Sequence, residues 1–313
     1  MRVGRYGAAR RGTGGSSSVA REPRFQTIDG EELYRKLAFG DPLVVVDVRT
    51  ESEYAARHIP GSLLVPLHEL ESRLGEIPPP STPTAVVCEH GIRSISACGF
   101  LSEHGFGPLF NLAGGLATWP GPTVAGMDVS SNGRHLHPIS PSLFLIENFD
   151  LLPRGLALDL AMGEGRNAIY LATRGFDVDG VDVDPDTVAR ARARARRLQA
   201  PIRAVVGNVE DGTYIVPLEA YDVIVVFNYL HRPLFNDVRD GLKSGGVVVY
   251  QTYTTEQARY GRPTDPAHLL EPGELRRVFV DWEILRYRES TLREIPGGPL
   301  KAVAGIVARK PPG

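Results

Sequence analysis

The residues best placed to do chemistry in the first half of the chain are Cys88-Glu89-His90-Gly91-Ile92-Arg93-Ser94. They follow TAVVC (Thr84–Cys88), a β-branched run with the form of a buried strand, and lead into the helical pattern SISACGFLSEHGF. A loop this short turns several backbone N–H groups toward one point, where the helix N-terminus is also directed. A thiolate on Cys88 is stabilised there and its pKa falls; a persulfide anion fits the same cradle. Arg93 adds a permanent cation whose planar fork suits a sulfonate or similar oxyanion. Cys98 is different: it lies mid-helix beside Phe100 and Leu101 and reads as core packing.

The second half offers LDLAMGEGRNAIYLATRGF, a strand passing through a glycine turn into a helix. Gly163 and Gly165 allow close approach of the backbone to a ligand. Asp182 follows about 20 residues later in GVDVDPD, where a carboxylate accepts hydrogen bonds from both hydroxyls of a ribose. The pattern lacks G-x-G-x-x-G, and Asp159 places an acid under the turn, so a dinucleotide diphosphate is disfavoured. A ligand with a sulfonium and an amino group suits such acids better. Phe227-Asn228-Tyr229-Leu230-His231-Arg232 ends another strand, where the crevice of a parallel sheet opens. Tyr229, His231 and Arg232 are the candidates for contact with a second substrate.

Two alternations of strand and helix must position these groups. LVVVDV (Leu43–Val48) and TAVVC serve the first. LALDLA (Leu156–Ala161), VDGVD (Val178–Asp182), IRAVV (Ile202–Val206), YDVIVVF (Tyr221–Phe227) and GGVVVYQTY (Gly245–Tyr253) serve the second. WEILRYRE (Trp282–Glu289) and LKAVAGIVARK (Leu300–Lys310) are predicted as a closing antiparallel pair. The pattern predicts α/β domains with mostly parallel sheets covered on both faces. The expected division is an extension over 1–24, a first domain over 25–120, a linker over 121–140 and a second domain over 141–313. The linker carries Pro, Gly, Ser and Asn without a period. Residues 1–24 hold almost nothing to bury and are expected to be disordered.

With 313 residues, 42% apolar and 23% charged, the chain is large enough for two cores, and a formal net charge of −2 gives no long-range pull toward nucleic acid. No apolar run is long enough for a membrane span. Two cysteines do not make a disulfide framework, and with no signal-peptide pattern the expectation is a cytoplasmic protein. The eight histidines show no metal-ligand spacing. Arg190, Arg192, Arg194, Arg196 and Arg197 look like a nucleic-acid patch, but Val188, Ala191, Ala195 and Leu198 form a buried stripe between them. The arginines are therefore expected on a solvated helix face.

VVVDVRTESEYAARHIPGSLLVPL resembles the opening of rhodanese domains, CEHGIRS their active-site loop, and NLAGGLATW their end. The resemblance implies a three-layer rhodanese-like fold, Cys88 as the sulfur-accepting nucleophile and Arg93 as the group that binds the donor's anion. It also places Asp47 and Arg49, with Glu89, His90, Gly91 and Ser94 of the loop, in the supporting shell. Dual-specificity phosphatases of the same architecture use Cys-x5-Arg; the four residues between Cys88 and Arg93 favour sulfur over phosphorus. Arg57 stands where the family usually has Gly, with only a local surface effect expected.

DLAMGEG resembles the first motif of class I S-adenosylmethionine-dependent methyltransferases, VDGVDVDPD the second, and GNVED the adenine-contacting segment. This implies a Rossmann-like domain with S-adenosylmethionine as cofactor. Asp159, Gly163 and Gly165 would flank its methionine part, Asp182 its ribose, and Asn208 and Val209 its adenine, with Ala161, Val183 and Phe227 also among the cofactor-binding residues. Ala161 replaces the family's first Gly, and Asn208 a common Asp. RNAIYLATRGFDVDGVD is similar to the small-molecule branch related to tellurite-resistance proteins. The combined expectation is a bifunctional enzyme: a sulfur-carrying domain and a methyltransferase acting on a small sulfur or other soft chalcogen acceptor. Its partners would be that acceptor and a sulfur donor, with no nucleic acid and no membrane. The alternatives are a methyltransferase with the first domain as a persulfide sensor, and a non-catalytic two-domain scaffold.

Overall fold

The computed structural model describes residues 25–126, 140–292 and 300–313. The expected disorder of 1–24 and most of the expected linker lie outside these residues. The first sheet is built from β1 (Gln26–Ile28), β2 (Val44–Asp47), β3 (Leu63–Leu64), β4 (Thr84–Val87) and β5 (Leu109–Leu112). All pair in parallel in the order β1-β5-β4-β2-β3. Helices α1 (Gly30–Ala38), α2 (Glu51–Ala56) and α3 (Ile92–Glu103) connect them. Helix α1 starts where the Asp29 carboxylate accepts from the Glu32 N–H; α2 starts with a reciprocal cap between Thr50 and Glu53.

The second sheet contains β6 (Leu156–Leu160), β7 (Asp177–Asp182), β8 (Arg203–Val206), β9 (Tyr221–Phe227), β10 (Leu242–Tyr253), β11 (Glu283–Leu292) and β12 (Lys301–Arg309). Its order is β11-β12-β10-β9-β6-β7-β8. Strands β6 to β10 pair in parallel, while β12 runs antiparallel to both β10 and β11. Helices α4 (Leu143–Glu147), α5 (Arg166–Thr173), α6 (Pro185–Arg197), α7 (Leu234–Gly241) and α8 (Glu274–Val278) accompany it. The valine and isoleucine runs of β9 and β10 are buried on both faces, as strands covered by helices must be. Among the described residues no helix is long and apolar enough to cross a membrane.

The domains share a core. Leu33, Tyr34, Leu37 and Ala38 of α1 form one apolar cluster with Ile169 of α5 and Ala195, Leu198 and Ala200 at the end of α6. Here the arginine helix departs from its expected solvation. Arg197 donates to Glu31 Oε1 at 2.5 Å and to the Pro120 carbonyl at 2.7 Å, and its guanidinium sits 4.6 Å from the Tyr34 ring centroid. Arg194 is buried and hydrogen-bonds Tyr34. A helical stripe wide enough to cover the sheet leaves its flanks free for another domain. Arg190 and Arg192 meet their own domain, through Glu164 and the Ala204 carbonyl.

Candidate active sites

Helix α3 begins at Gly91, whose φ of 82° turns the chain from β4 into the helix. The loop is seated on the segment after β5: Leu116 N–H donates to the Cys88 carbonyl at 2.8 Å and Ala117 N–H to that of Glu89 at 3.0 Å. A Cβ on Gly115 would lie 2.2 Å from the Cys88 oxygen, so that position requires glycine.

Cys88 is almost fully buried at the floor of this loop, yet its sulfur faces polar donors. Gly91 N–H reaches Sγ at 3.1 Å, Ser94 N–H at 3.4 Å, and the Ser94 hydroxyl oxygen lies at 3.3 Å. Burial alone would raise the thiol's pKa; hydrogen bonds from Ser94 and from the N–H groups of His90 and Gly91 outweigh it and bring the pKa below the ordinary value. Ser94 Oγ also lies 2.6 Å from Asn111 Oδ1, a buried contact on β5 that the sequence reading did not single out. Cys98 faces hydrocarbon, and burial followed by repulsion from Cys88 pushes its pKa up to about 12.

The surrounding charges are paired. Arg93 donates to both oxygens of Glu53, at 2.8 and 2.5 Å, and this holds the Glu53 carboxyl down at about 2. Any donor anion reaching Arg93 therefore meets a guanidinium already shared with a carboxylate. Buried Arg49 bonds the Asp47 carboxylate at 2.7 Å, the Glu89 carboxylate at 3.0 Å and the Arg57 carbonyl at 2.6 Å. Arg57 itself pairs with Glu89, so its effect extends beyond the surface to the active-site loop. Its φ of −165° is extended, which explains why glycine is unnecessary there.

In the second domain the turn after β6 wraps over Asp159. That carboxyl is fully buried and accepts from Ala168 N–H at 2.9 Å. Burial raises its pKa to about 7 against the lowering effects of that hydrogen bond and Arg166. Ala161 holds φ 53°, a left-handed conformation that glycine adopts without the methyl's strain. Gly163 N–H donates to Asp182 Oδ2 at 2.8 Å, and Asp184 N–H to Asp182 Oδ1 at 3.1 Å. An N–H already given to a carboxylate, with a second acid beneath it, is unsuited to a diphosphate. The donor set fits a cationic nucleoside such as S-adenosylmethionine, which Asp182 at the end of β7 and Asp159 below the turn would hold. Asn208 Oδ1 accepts from Glu210 N–H at 2.8 Å and shapes the loop after β8; Val209 is half-buried, Phe227 is buried and Val183 is exposed.

Of the residues after β9, only Tyr229 joins these groups. Its hydroxyl donates to Glu210 at 2.7 Å, joining the loops after β8 and β9, and the Asp182 charge reaches it. Asn228 takes φ 56°, which an asparagine tolerates, and aims Tyr229 into a cleft of about 470 Å³ with Tyr253, Arg262 and His268. His231 lies three residues before α7, outside that lining. Arg232 is held by Glu274 at 2.8 Å and by the carbonyls of Ala267 and Leu269. Sequence reasoning missed Arg262 and His268 because they sit in an irregular loop that no periodicity brings to the strand ends.

Residues 29–121 match the rhodanese-like domain family and residues 157–246 the methyltransferase domain family. A sulfurtransferase of Allochromatium vinosum is 38% identical over 92 residues, covering 29% of this chain and 85% of that protein. A protein named hemagglutinin 1 from Eikenella corrodens is 30% identical over 167 residues, 50% of this chain and only 54% of that protein. TehB from Haemophilus influenzae is similar in structure at 22% identity, over 53% of this chain and 61% of that one, with a TM-score of 0.46, too partial to add to the family match. The chain therefore belongs to the rhodanese-like sulfurtransferases through its first domain and carries a methyltransferase domain as its second, an enzyme joining both activities in one polypeptide.

Proposed function

We propose that Cys88 carries sulfane sulfur as a persulfide and that the second domain methylates a small sulfur or other soft chalcogen acceptor with S-adenosylmethionine, as in the small-molecule branch of methyltransferases. The observation that carries this reading is a thiol held over converging N–H groups in the same chain as an acid-lined glycine turn. In the first half-reaction the Cys88 thiolate attacks the sulfane sulfur of a donor such as thiosulfate. The donor's S–S bond breaks, sulfite leaves with the electron pair, and the N–H cradle receives the persulfide anion. In the second domain, S-adenosylmethionine when bound supplies a methyl group already activated by its sulfonium. The chain's part is to orient that donor through Asp182 and Asp159 and to exclude water around the acceptor. The deciding experiment incubates the full-length protein with methyl-labelled donor and sulfide, thiols or selenite, with products identified by mass spectrometry. Label in volatile or small methylated chalcogens supports the reading; label only in protein or RNA refutes it.

Asp159 gives this site a pH signature. Its folded pKa lies near 7, above that of a free carboxyl, so it is largely neutral below that pH and charged above it. A cationic donor prefers the charged form. Donor affinity should therefore rise from about pH 6 to about pH 8 and then level, with a slope of at most about tenfold per unit below the pKa. The sign for stability is opposite: the folded state holds the extra proton between about pH 4 and about pH 7, so folding weakens as pH rises through that window. Calorimetric titration across this range, with Asp159→Asn as the control, checks both. A wild-type affinity as flat as that of the Asn variant would rule the role out.

The persulfide-sensor reading has one observation in its favour. Arg166, beside the glycine turn, donates to Ser142 Oγ at 3.1 Å, and Ser140 Oγ donates to the Leu37 carbonyl of α1 at 2.7 Å. A donor affinity that differs between reduced and persulfidated protein would select it.

A further inference from the structure

We infer that the cleft at the ends of β9 and β10 is the acceptor site and that it selects an acceptor bearing a negative charge, such as a thiol that also carries a carboxylate, with Arg262 as the anion-binding group and His268 beside it. This rests on the methyltransferase reading above and adds the class of substrate. The cleft's volume, about 470 Å³, is the size of a small-ligand pocket. Asn228 and Tyr229 form one wall directly after Phe227, and the Tyr229 hydroxyl donates to Glu210 at 2.7 Å, which ties the cleft to the loop after β8 that the proposed donor site uses. Its opposite wall is the loop from Thr255 to Leu270.

That loop is tied down by its backbone, and two of its side chains, Arg262 and His268, line the cleft. Leu270 N–H donates to the Tyr253 carbonyl at 2.8 Å and Thr255 N–H to the Leu270 carbonyl at 3.0 Å, closing its base. Buried Gln257 donates to the Arg262 carbonyl at 3.3 Å and accepts from Ala302 N–H at 2.9 Å. Arg232 holds the carbonyls on both sides of His268. Among the described residues, neither the Arg262 guanidinium nor the His268 imidazole has an acidic partner. Three acids close to the cleft are otherwise engaged: Glu210 by Tyr229, Glu274 by Arg232, and Asp265 by the Ala267 N–H of its own turn; Glu256 of the same loop is not part of the lining. No carboxylate lines the cleft, so its charge is positive. A fixed backbone presenting an unneutralised guanidinium in a cleft at the ends of β9 and β10 is an anion-selecting arrangement.

The test compares two thiols that differ in charge, thioglycolate and 2-mercaptoethanol, on the full-length protein with S-adenosylmethionine. Arg262→Gln is expected to lower kcat/KM for thioglycolate by about tenfold or more while leaving 2-mercaptoethanol within about twofold. Arg262→Lys should restore part of the difference. An equal loss for both thiols, or no loss for thioglycolate, overturns the inference. Binding of radiolabelled glycolate to the S-adenosylhomocysteine-loaded protein separates the two levels of the argument. If neither thiol is methylated, the acceptor chemistry proposed above fails; glycolate binding that is lost in Arg262→Gln still upholds the anion cleft, and binding that is absent or unchanged removes it.

Discussion

Replacing Cys88 with serine should reduce thiosulfate-to-cyanide sulfur transfer by about 10³-fold or more while leaving methyl transfer within about twofold. Serine fits the same space, so the Leu116 and Ala117 hydrogen bonds that seat the loop stay in place. What is lost is the atom: an alkoxide does not form near neutral pH and an oxygen does not store sulfane sulfur as a persulfide. The second cysteine offers no rescue. Cys98 belongs to the core with Leu101 and Val86 and titrates near 12, so iodoacetamide near neutral pH should label Cys88 and spare Cys98. Steady-state assays on the full-length variant, with peptide mapping of the alkylated wild type, check both statements. Retained sulfur transfer would remove Cys88 from the mechanism. Loss of both activities with folding intact would instead favour the sensor reading, in which the state of Cys88 governs the methyl-donor site.

The chemistry at each site was legible because it depends on local spacing. CEHGIRS places a thiol, N–H groups and an arginine within one turn of a helix start, and the structure keeps that order around the sulfur. Strands were equally legible where β-branched runs are long, and the closing pair of β11 and β12 is antiparallel as predicted. Short edge elements escaped: β1 and β3 span three and two residues, too few to show a period. Helix α4 also escaped, because LFLIE lies beside prolines and, at five residues, is too short to show a helical period. The larger gap concerns partners distant in sequence. Nothing near Arg93 announces Glu53, nothing near Arg57 announces Glu89, and the fate of Arg197 depends on Glu31 and Pro120 in another domain. A helical pattern tells which face is apolar; it does not tell whether the remaining faces meet water or a second domain.

That docking surface carries the other large effect. Leu37 is 1% exposed and belongs to the cluster joining α1 to α5 and α6. Leu37→Ala should cost about 2–5 kcal/mol, the range for deleting a buried leucine's side chain where the surroundings collapse only partly. Because the cluster is shared, the loss should be felt in both domains. Thermal unfolding followed by two probes, thiol exposure at core Cys98 for the first domain and loss of donor binding for the second, should give midpoints that move down together. The hydrogen bonds around the cluster predict the same coupling: Arg174 donates to the Phe39 carbonyl at 3.1 Å, and Ser140 to that of Leu37, so α1 cannot leave without baring groups at the end of α5 and in the segment before α4. If the second-domain midpoint stays at its wild-type value while the first falls, the two cores are energetically separate. The arginine contacts at Glu31 and Tyr34 would then be surface pairing of little worth. If both fall, the first domain is part of what holds the methyl-donor turn in shape, and separating the two by cleavage near the linker should weaken donor binding even with every residue of the second domain present.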